Sequence, residues 1–247
     1  MKWDVICFDL DNTLYNHEFA FKRAILDCLH TKIAQWQNDG QINDPIDFEQ
    51  WFATFKYYCD SLWPLLEKKQ IDRKTYRRRR YLKTMKMYNL PCREEEADDF
   101  HRQYYEHVHR FCEPDVGMRP LLSWLSQSAV KIGIMTNGPT DTQWKKIQQL
   151  GLTEFIAEEH ILISSEVNLE KPDKRFFHLF ERKLSLKNER KLFVGDSWEQ
   201  DVLGAVGADW EAIYLNTRHK EPSTTDNVVM ELQSLTELYV WLQAKGI

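Results

Sequence analysis

Val5-Ile6-Cys7-Phe8-Asp9-Leu10-Asp11-Asn12-Thr13-Leu14 is the stretch on which the reading of this chain turns. Four apolar residues, two of them β-branched, run directly into two carboxylates spaced i, i+2. A short, continuous apolar run of this kind reads as a strand buried on both faces, as in parallel sheets. The carboxyl end of such a strand is where open α/β sheets bind their ligands. Side chains alternate along an extended strand, so Asp9 and Asp11 are expected on the same side. Two like charges that close repel, and one pKa rises unless a cation neutralises the pair. The arrangement points to a bound metal, an acid/base pair, or both, against the plain alternative of a surface turn.

The 247 residues, 43% of them hydrophobic, are enough for one large domain or two smaller ones. A net charge of −5 argues against a nucleic-acid polymer as partner. The chain opens Met-Lys-Trp-Asp and enters the first strand at once, so neither a signal peptide nor a membrane span is expected. Cys7, Cys28, Cys59, Cys92 and Cys112 are scattered, odd in number and without a CxxC pair. They read as reduced thiols, and the expected location is cytoplasmic. Nothing in the composition points to an oligomeric state.

Between about residues 16 and 115 no strand pattern appears. Phe21, Ile25, Leu29 and Ile33 mark a helix by their i, i+4 spacing, and Asp39-Gly40 and Asn43-Asp44-Pro45 break it. Further helices are expected over 47–63, which is dense in rings, over the basic 72–88, and over 93–111. From Gly117 onward helix and strand alternate. Strands are expected near 130–135, 161–163, 192–194 and 212–215, with a loop over 216–226 and a closing helix over 230–245. Alternation of this kind predicts a parallel, doubly wound α/β sheet. The boundaries expected are a core of 1–15 and 116–247 and a helical insertion of 16–115. Right-handed crossovers put all strand carboxyl ends on one edge, which predicts that Asp9, Asp11, Thr136, Asp196 and Asp201 meet there, with Lys171 reaching in from a loop.

Four motifs stand in order: Asp9-Leu10-Asp11-Asn12-Thr13, Thr136-Asn137-Gly138, Lys171-Pro172-Asp173, and Gly195-Asp196-Ser197 with Asp201 five beyond Asp196. In this the chain resembles the phosphatase branch of the haloacid dehalogenase superfamily, over roughly 1–15 and 117–247. The insertion resembles that family's C1-type helical cap, and the wording of the first two motifs resembles its nucleotidase and sugar-phosphatase members. The resemblance implies a Rossmann-like core and a Mg²⁺-dependent hydrolase acting on a small phosphorylated metabolite, with a nucleoside 5′-monophosphate foremost. It implies that Asp9, the backbone carbonyl of Asp11 and the Asp196 side chain hold the metal, while Asp201 orients the ligands. Asp9 is then the nucleophile and forms an aspartyl-phosphate. Asp11 is the general acid, then the base for water. Thr136 and Asn137 bind phosphate by a hydroxyl and a backbone N–H, and Lys171 supplies positive charge.

Asp11 also bears on the reaction type. An alkoxide leaving group needs a proton and a halide does not, so an acid at this position favours phosphate esters over haloacids. A phosphonatase would want a lysine nucleophile from the cap, and nothing marks Lys22, Lys56 or Lys68 for that. A sugar phosphomutase on the same core and a non-catalytic binding module are the rival readings. Within the insertion, the rings of 48–63 read as helical core. Arg77-Arg78-Arg79-Arg80 reads as a solvated face with the acidic run 94–99 as charge partner. His17 reads as an exposed-loop residue near the site, and His101, His107 and His109 as a polar helix face.

Overall fold

The computed structural model describes residues 3–224 and 228–246. Residues 225 and 226 of the expected 216–226 loop lie outside the described residues. The chain divides into two compact units, Met1–Glu18 with Cys112–Ile247, and Phe19–Phe111.

The first unit is built on a six-stranded sheet: β1 (Val5–Phe8), β2 (Lys131–Thr136), β3 (Ile161–Ile163), β4 (Lys191–Gly195), β5 (Glu211–Leu215) and β6 (Met230–Leu232). The strand order is β3-β2-β1-β4-β5-β6 and every pairing is parallel. This is the doubly wound α/β arrangement, with the strand order reversing at β1. In register, Phe8 lies between Ile134 of β2 and Val194 of β4. The residues that follow Phe8, Ile134 and Val194 therefore emerge side by side at one edge, which is the switch point where such sheets bind ligands.

Val5, Ile6, Cys7 and Phe8 are all fully buried, as their unbroken apolar run requires. Around the sheet come α5 (Met118–Ser126), α6 (Thr140–Gln149), α7 (Ser164–Val167), α8 (Lys174–Lys183), α9 (Leu203–Val206) and α10 (Leu235–Ala244). Helix α8 buries Phe176, Phe177 and Phe180 in a core with Val5, Cys7 and Phe193. The Phe177 and Phe193 rings meet edge to face at 5.4 Å.

One element of the sheet differs from the sequence reading. Residues 230–232 form an edge strand rather than the start of the closing helix. They pair with β5, and Ser234, accepting from Glu237 N, caps the helix that begins at Leu235. Three residues are too short a run for periodicity to show. The residues that flank the insertion join within the first unit. Tyr15 bridges Pro114, and Asp115 N donates to Leu14 O at 3.2 Å, so these linker residues are tied together within the core unit.

Helix α1 (His17–Asn38) begins in the first unit and continues through the second, which also holds α2 (Phe48–Glu67), α3 (Arg73–Met87), α4 (Glu94–His107) and a 3₁₀ turn over Val108–Phe111. Trp51, Phe55, Tyr81 and Phe100 are fully buried at its centre, with Trp51 stacked on Phe55 at 5.2 Å. Within the arginine run, Arg78 pairs with Asp98 at 2.5 Å and with Glu94. Arg80 is buried rather than solvated. Its guanidinium lies over Phe55 and Tyr76 and within 3.4 Å of His101 Nδ1. His101 is buried too, its Nε2 3.0 Å from Arg77 O, instead of lying on a polar face. Successive residues turn about 100° along a helix, so one arginine of four in a row must point inward when the others point out. No helix among the described residues is long and apolar enough to cross a membrane.

Candidate active site

Strand β1 stops at Phe8, and Asp9 N still donates to Val194 O at 2.9 Å, which fixes Asp9 in line with the sheet. The chain then turns back, with Leu14 N bonding Leu10 O at 3.1 Å. Asn12 has a left-handed backbone, φ 62°, a conformation that Asn tolerates better than most residues. Its side-chain oxygen accepts from Glu18 N at 3.1 Å and so helps start α1. Beyond this turn Asp9 and Asp11 each find their own cation, Lys171 and Lys146.

Asp9 belongs to a buried charge cluster. Lys171, 2% exposed, places Nζ 2.6 Å from Asp9 Oδ1 and 2.6 Å from Asp201 Oδ1. Thr13 donates to the other Asp9 oxygen at 3.3 Å. The second Asp201 oxygen accepts from Ser197 N at 2.9 Å, which ties the β4 turn to the lysine. Asp201 sits in a π-helical turn, Trp198–Val202, against Gly195. A Cβ on Gly195 would lie 2.4 Å from that carboxylate, so only glycine admits this approach. Asp196 pairs with Arg218, which also reaches Glu18 at 3.5 Å. One oxygen from each of Asp9, Asp196 and Asp201 lies within 4.8 Å of the others. Among the described residues this buried, all-carboxylate set is a group that could hold a metal ion, and hard oxygen donors suit Mg²⁺.

Burial and the neighbouring carboxylates raise the pKa of Asp9 to about 7, against the opposing pull of Lys171. Burial raises Asp196 to about 8, with Asp201 and Asp9 adding to the rise and Arg218 opposing it. Burial alone would lower Lys171, yet Asp201 and Asp9 together hold it above its ordinary value and keep it charged.

Asp11 sits in a second cluster. Its Oδ1 accepts from Lys146 Nζ at 2.8 Å and from the Tyr15 hydroxyl; its Oδ2 accepts from Lys146 Nζ at 3.0 Å and from Gln143 Nε2 at 3.2 Å. Burial pushes Asp11 up, but Lys146 and His17, with the hydrogen bonds from Lys146 and Tyr15, outweigh it and hold the carboxyl well below its usual range. His17 itself falls to about 4 through burial and the Lys146 charge, so it is neutral near pH 7 and Lys146 supplies the charge. His17 is therefore not an exposed-loop residue: it opens α1, with Nδ1 3.0 Å from the Tyr15 hydroxyl and 3.5 Å from Asp11.

Thr136, at the end of β2, accepts from Gln143 Nε2 at 2.6 Å, which leaves its own hydroxyl proton to donate. The Asn137 side chain brackets the lysine loop, giving to Lys171 O at 3.0 Å and accepting from Lys171 N at 2.9 Å. Asn137 thus fixes where Lys171 stands.

Asp9, Lys171, Asp196 and Asp201 come together in one cluster; Asp11 and Thr136 are joined through Gln143. Sequence reasoning missed Gln143, Lys146, Tyr15 and Arg218. The first two carry a signal: polar residues at i, i+3, on the face of α6 that also buries Ile147, seven and ten residues beyond Thr136. Arg218 has none, since it lies in a polar loop where charge is ordinary.

The chain is 28% identical over 244 residues to the pyrimidine 5′-nucleotidase YjjG of Escherichia coli, across 95% of this chain and 98% of that one. It is 33% identical to a glyceraldehyde 3-phosphate phosphatase of Methanothermobacter thermautotrophicus, over 46% of this chain and 53% of that one. In three dimensions it is similar to the putative HAD-hydrolase YfnB of Bacillus subtilis, solved bound to magnesium, at a TM-score of 0.82, with 24% identity and coverage of 98% and 99%. Over residues 3–209 it matches the haloacid dehalogenase-like hydrolases, and this chain belongs to that family of hydrolases.

Proposed function

We propose that the chain is a Mg²⁺-dependent phosphomonoesterase that works through an aspartyl-phosphate on a small phosphorylated metabolite, first of all a nucleoside 5′-monophosphate. The carrying observation is Asp9, buried at the end of β1, with Lys171 Nζ 2.6 Å away and Asp196 in the same carboxylate cluster. A nucleophile for phosphorus needs an oxygen fixed in place and positive charge to offset the phosphate. Lys171 provides both effects, since Asp201 and Asn137 hold it.

The site residues take these roles. Asp9 attacks phosphorus, the bond to the leaving oxygen breaks, and Asp11 gives that oxygen a proton. Water then attacks the aspartyl-phosphate, Asp11 takes a proton from it, and Asp9 is released with inorganic phosphate. Thr136 and the Asn137 backbone N–H bind phosphate oxygens. Asp9 and Asp196, with the Asp11 carbonyl, would hold Mg²⁺, which supplies charge neutralisation between carboxylate and phosphate. Asp201 stays with Lys171 and Ser197 N and orients the cluster.

The nucleotide preference is supported by the extent of likeness. Similarity to the pyrimidine 5′-nucleotidase runs through 95% of the chain, including the helical insertion, whereas that to the glyceraldehyde 3-phosphate phosphatase covers 46%. The test is phosphate release with Mg²⁺ across nucleoside monophosphates, sugar phosphates and glyceraldehyde 3-phosphate, with Asp9→Asn alongside. Release from a pyrimidine nucleotide, falling to background in the variant, is the expected result. Full activity in Asp9→Asn would remove the nucleophile; no release from any ester would remove the hydrolase reading.

A further inference from the structure

We propose that Lys146 is a positioning residue for the reaction: with Gln143 and Tyr15 it clamps the Asp11 carboxylate in the pose that exchanges a proton with the leaving oxygen and then with water. This rests on the phosphomonoesterase reading above and adds to it residues outside the four motifs.

Lys146 is 3% exposed, and its carboxylate partner among the described residues is Asp11. Taking an ammonium out of water is costly, and a helix face against a sheet has no structural need for one. The charge is spent on both oxygens of one carboxylate, at 2.8 and 3.0 Å. Gln143, one helical turn earlier, uses a single NH₂ group to bond Asp11 Oδ2 at 3.2 Å and Thr136 Oγ1 at 2.6 Å. Asp11 and the Thr136 hydroxyl are thereby set relative to each other by one side chain. Tyr15 closes the clamp on Oδ1.

Such a clamp does two things. It holds the Asp11 side chain on α6, while the carboxylates grouped for a metal are Asp9, Asp196 and Asp201. It also fixes the carboxyl in space, and general acid–base catalysis depends on that: the donor must stand within hydrogen-bond reach of one particular oxygen.

The test uses leaving groups. An alkoxide needs a proton to depart; p-nitrophenolate does not. A residue that acts through Asp11 should matter more for the first than for the second, whereas a merely structural residue should affect both equally. Full-length wild type, Lys146→Met, Lys146→Arg and Asp11→Asn would be assayed with Mg²⁺ on uridine 5′-monophosphate and on p-nitrophenyl phosphate. The expected result is that Lys146→Met loses about tenfold more kcat on the nucleotide than on the aryl ester, with Asp11→Asn showing the same bias, about a hundredfold. Lys146→Arg should recover part of the loss. The double variant should be no worse than Asp11→Asn alone, because residues acting as one unit are not additive.

Tyr15→Phe removes a single hydroxyl and should show the same bias more weakly, which keeps the test open if Lys146→Met does not fold. Equal losses on both esters, or additivity with Asp11→Asn, would overturn the clamp while leaving the hydrolase reading intact. A wild type that releases phosphate from neither ester would overturn both.

Discussion

Asp9 and Asp196 set the pH response of this protein at the scale of single residues. Both are held above the ordinary carboxylate range, to about 7 and about 8, by burial first and then by neighbouring carboxylates, Asp201 among them for both. From about pH 4 to about pH 8 the folded protein therefore binds more protons at these positions than the unfolded chain, and folding stability must fall as pH rises through that window. Asp11 works the other way, but its low pKa puts its loss of stability at acid pH, outside the window. A cation that binds the ionised carboxylates opposes the fall. With chelator present, the thermal midpoint is expected to drop between about pH 6 and about pH 8.5, and millimolar Mg²⁺ should restore it at the upper end. A flat profile, or no effect of Mg²⁺, would mean that these two carboxylates do not form the metal site.

Among the elements, β1 and α8 carry the most. Strand β1 occupies the centre of the sheet, between β2 and β4, and delivers Asp9. Helix α8 follows the Lys171 loop and anchors it through Phe176, Phe177 and Phe180, the first two adjacent and the third a turn further on. Phe177 is fully buried and touches both Phe193 on β4 and the Trp210 ring at 6.1 Å. Phe177→Ala removes a large ring from a packed site, and a loss of about 3–5 kcal/mol is expected in urea unfolding. A loss under about 1 kcal/mol would show that the helix repacks freely. Helix α6 (Thr140–Gln149) belongs to the strand–helix alternation, but its part in the site depends on what packs against it. Gln143 and Lys146 look like surface residues until Asp11 is placed opposite them.

For the whole molecule, the division into two units has a direct consequence. The core enters and leaves the insertion through residues that are tied together, Tyr15 with Pro114 and Leu14 with Asp115. Replacing Phe19–Phe111 by a short flexible linker should therefore leave a core of roughly 150 residues, large enough to fold alone. The expected outcome is a circular dichroism spectrum of mixed helix and strand and a single cooperative melt, still raised by Mg²⁺. A chain without a transition would show that the core depends on the inserted helices.

Most of the fold, and the motif residues of the candidate site, could be read from the amino-acid order alone. The apolar run ahead of Asp9, the alternation of strand and helix beyond Gly117 and the absence of strands between 16 and 115 are local patterns. Periodicity reports them because each element buries its own face. The four motifs are short and contiguous, and that made Asp9, Asp11, Thr136, Asn137, Lys171, Asp196 and Asp201 candidates. Other features depended on which elements became neighbours: the sixth strand, the inward turn of Arg80, and the separate cations for Asp9 and Asp11. Residues 230–232 are a strand because β5 offers an open edge, and Arg80 is buried because Phe55 and Tyr76 face it. Lys146 matters because Asp11, distant in the sequence, stands 2.8 Å from it. A sequence determines what each segment can bury; only the packed chain decides which charge meets which, because electrostatic partners are chosen by distance in space and not along the backbone.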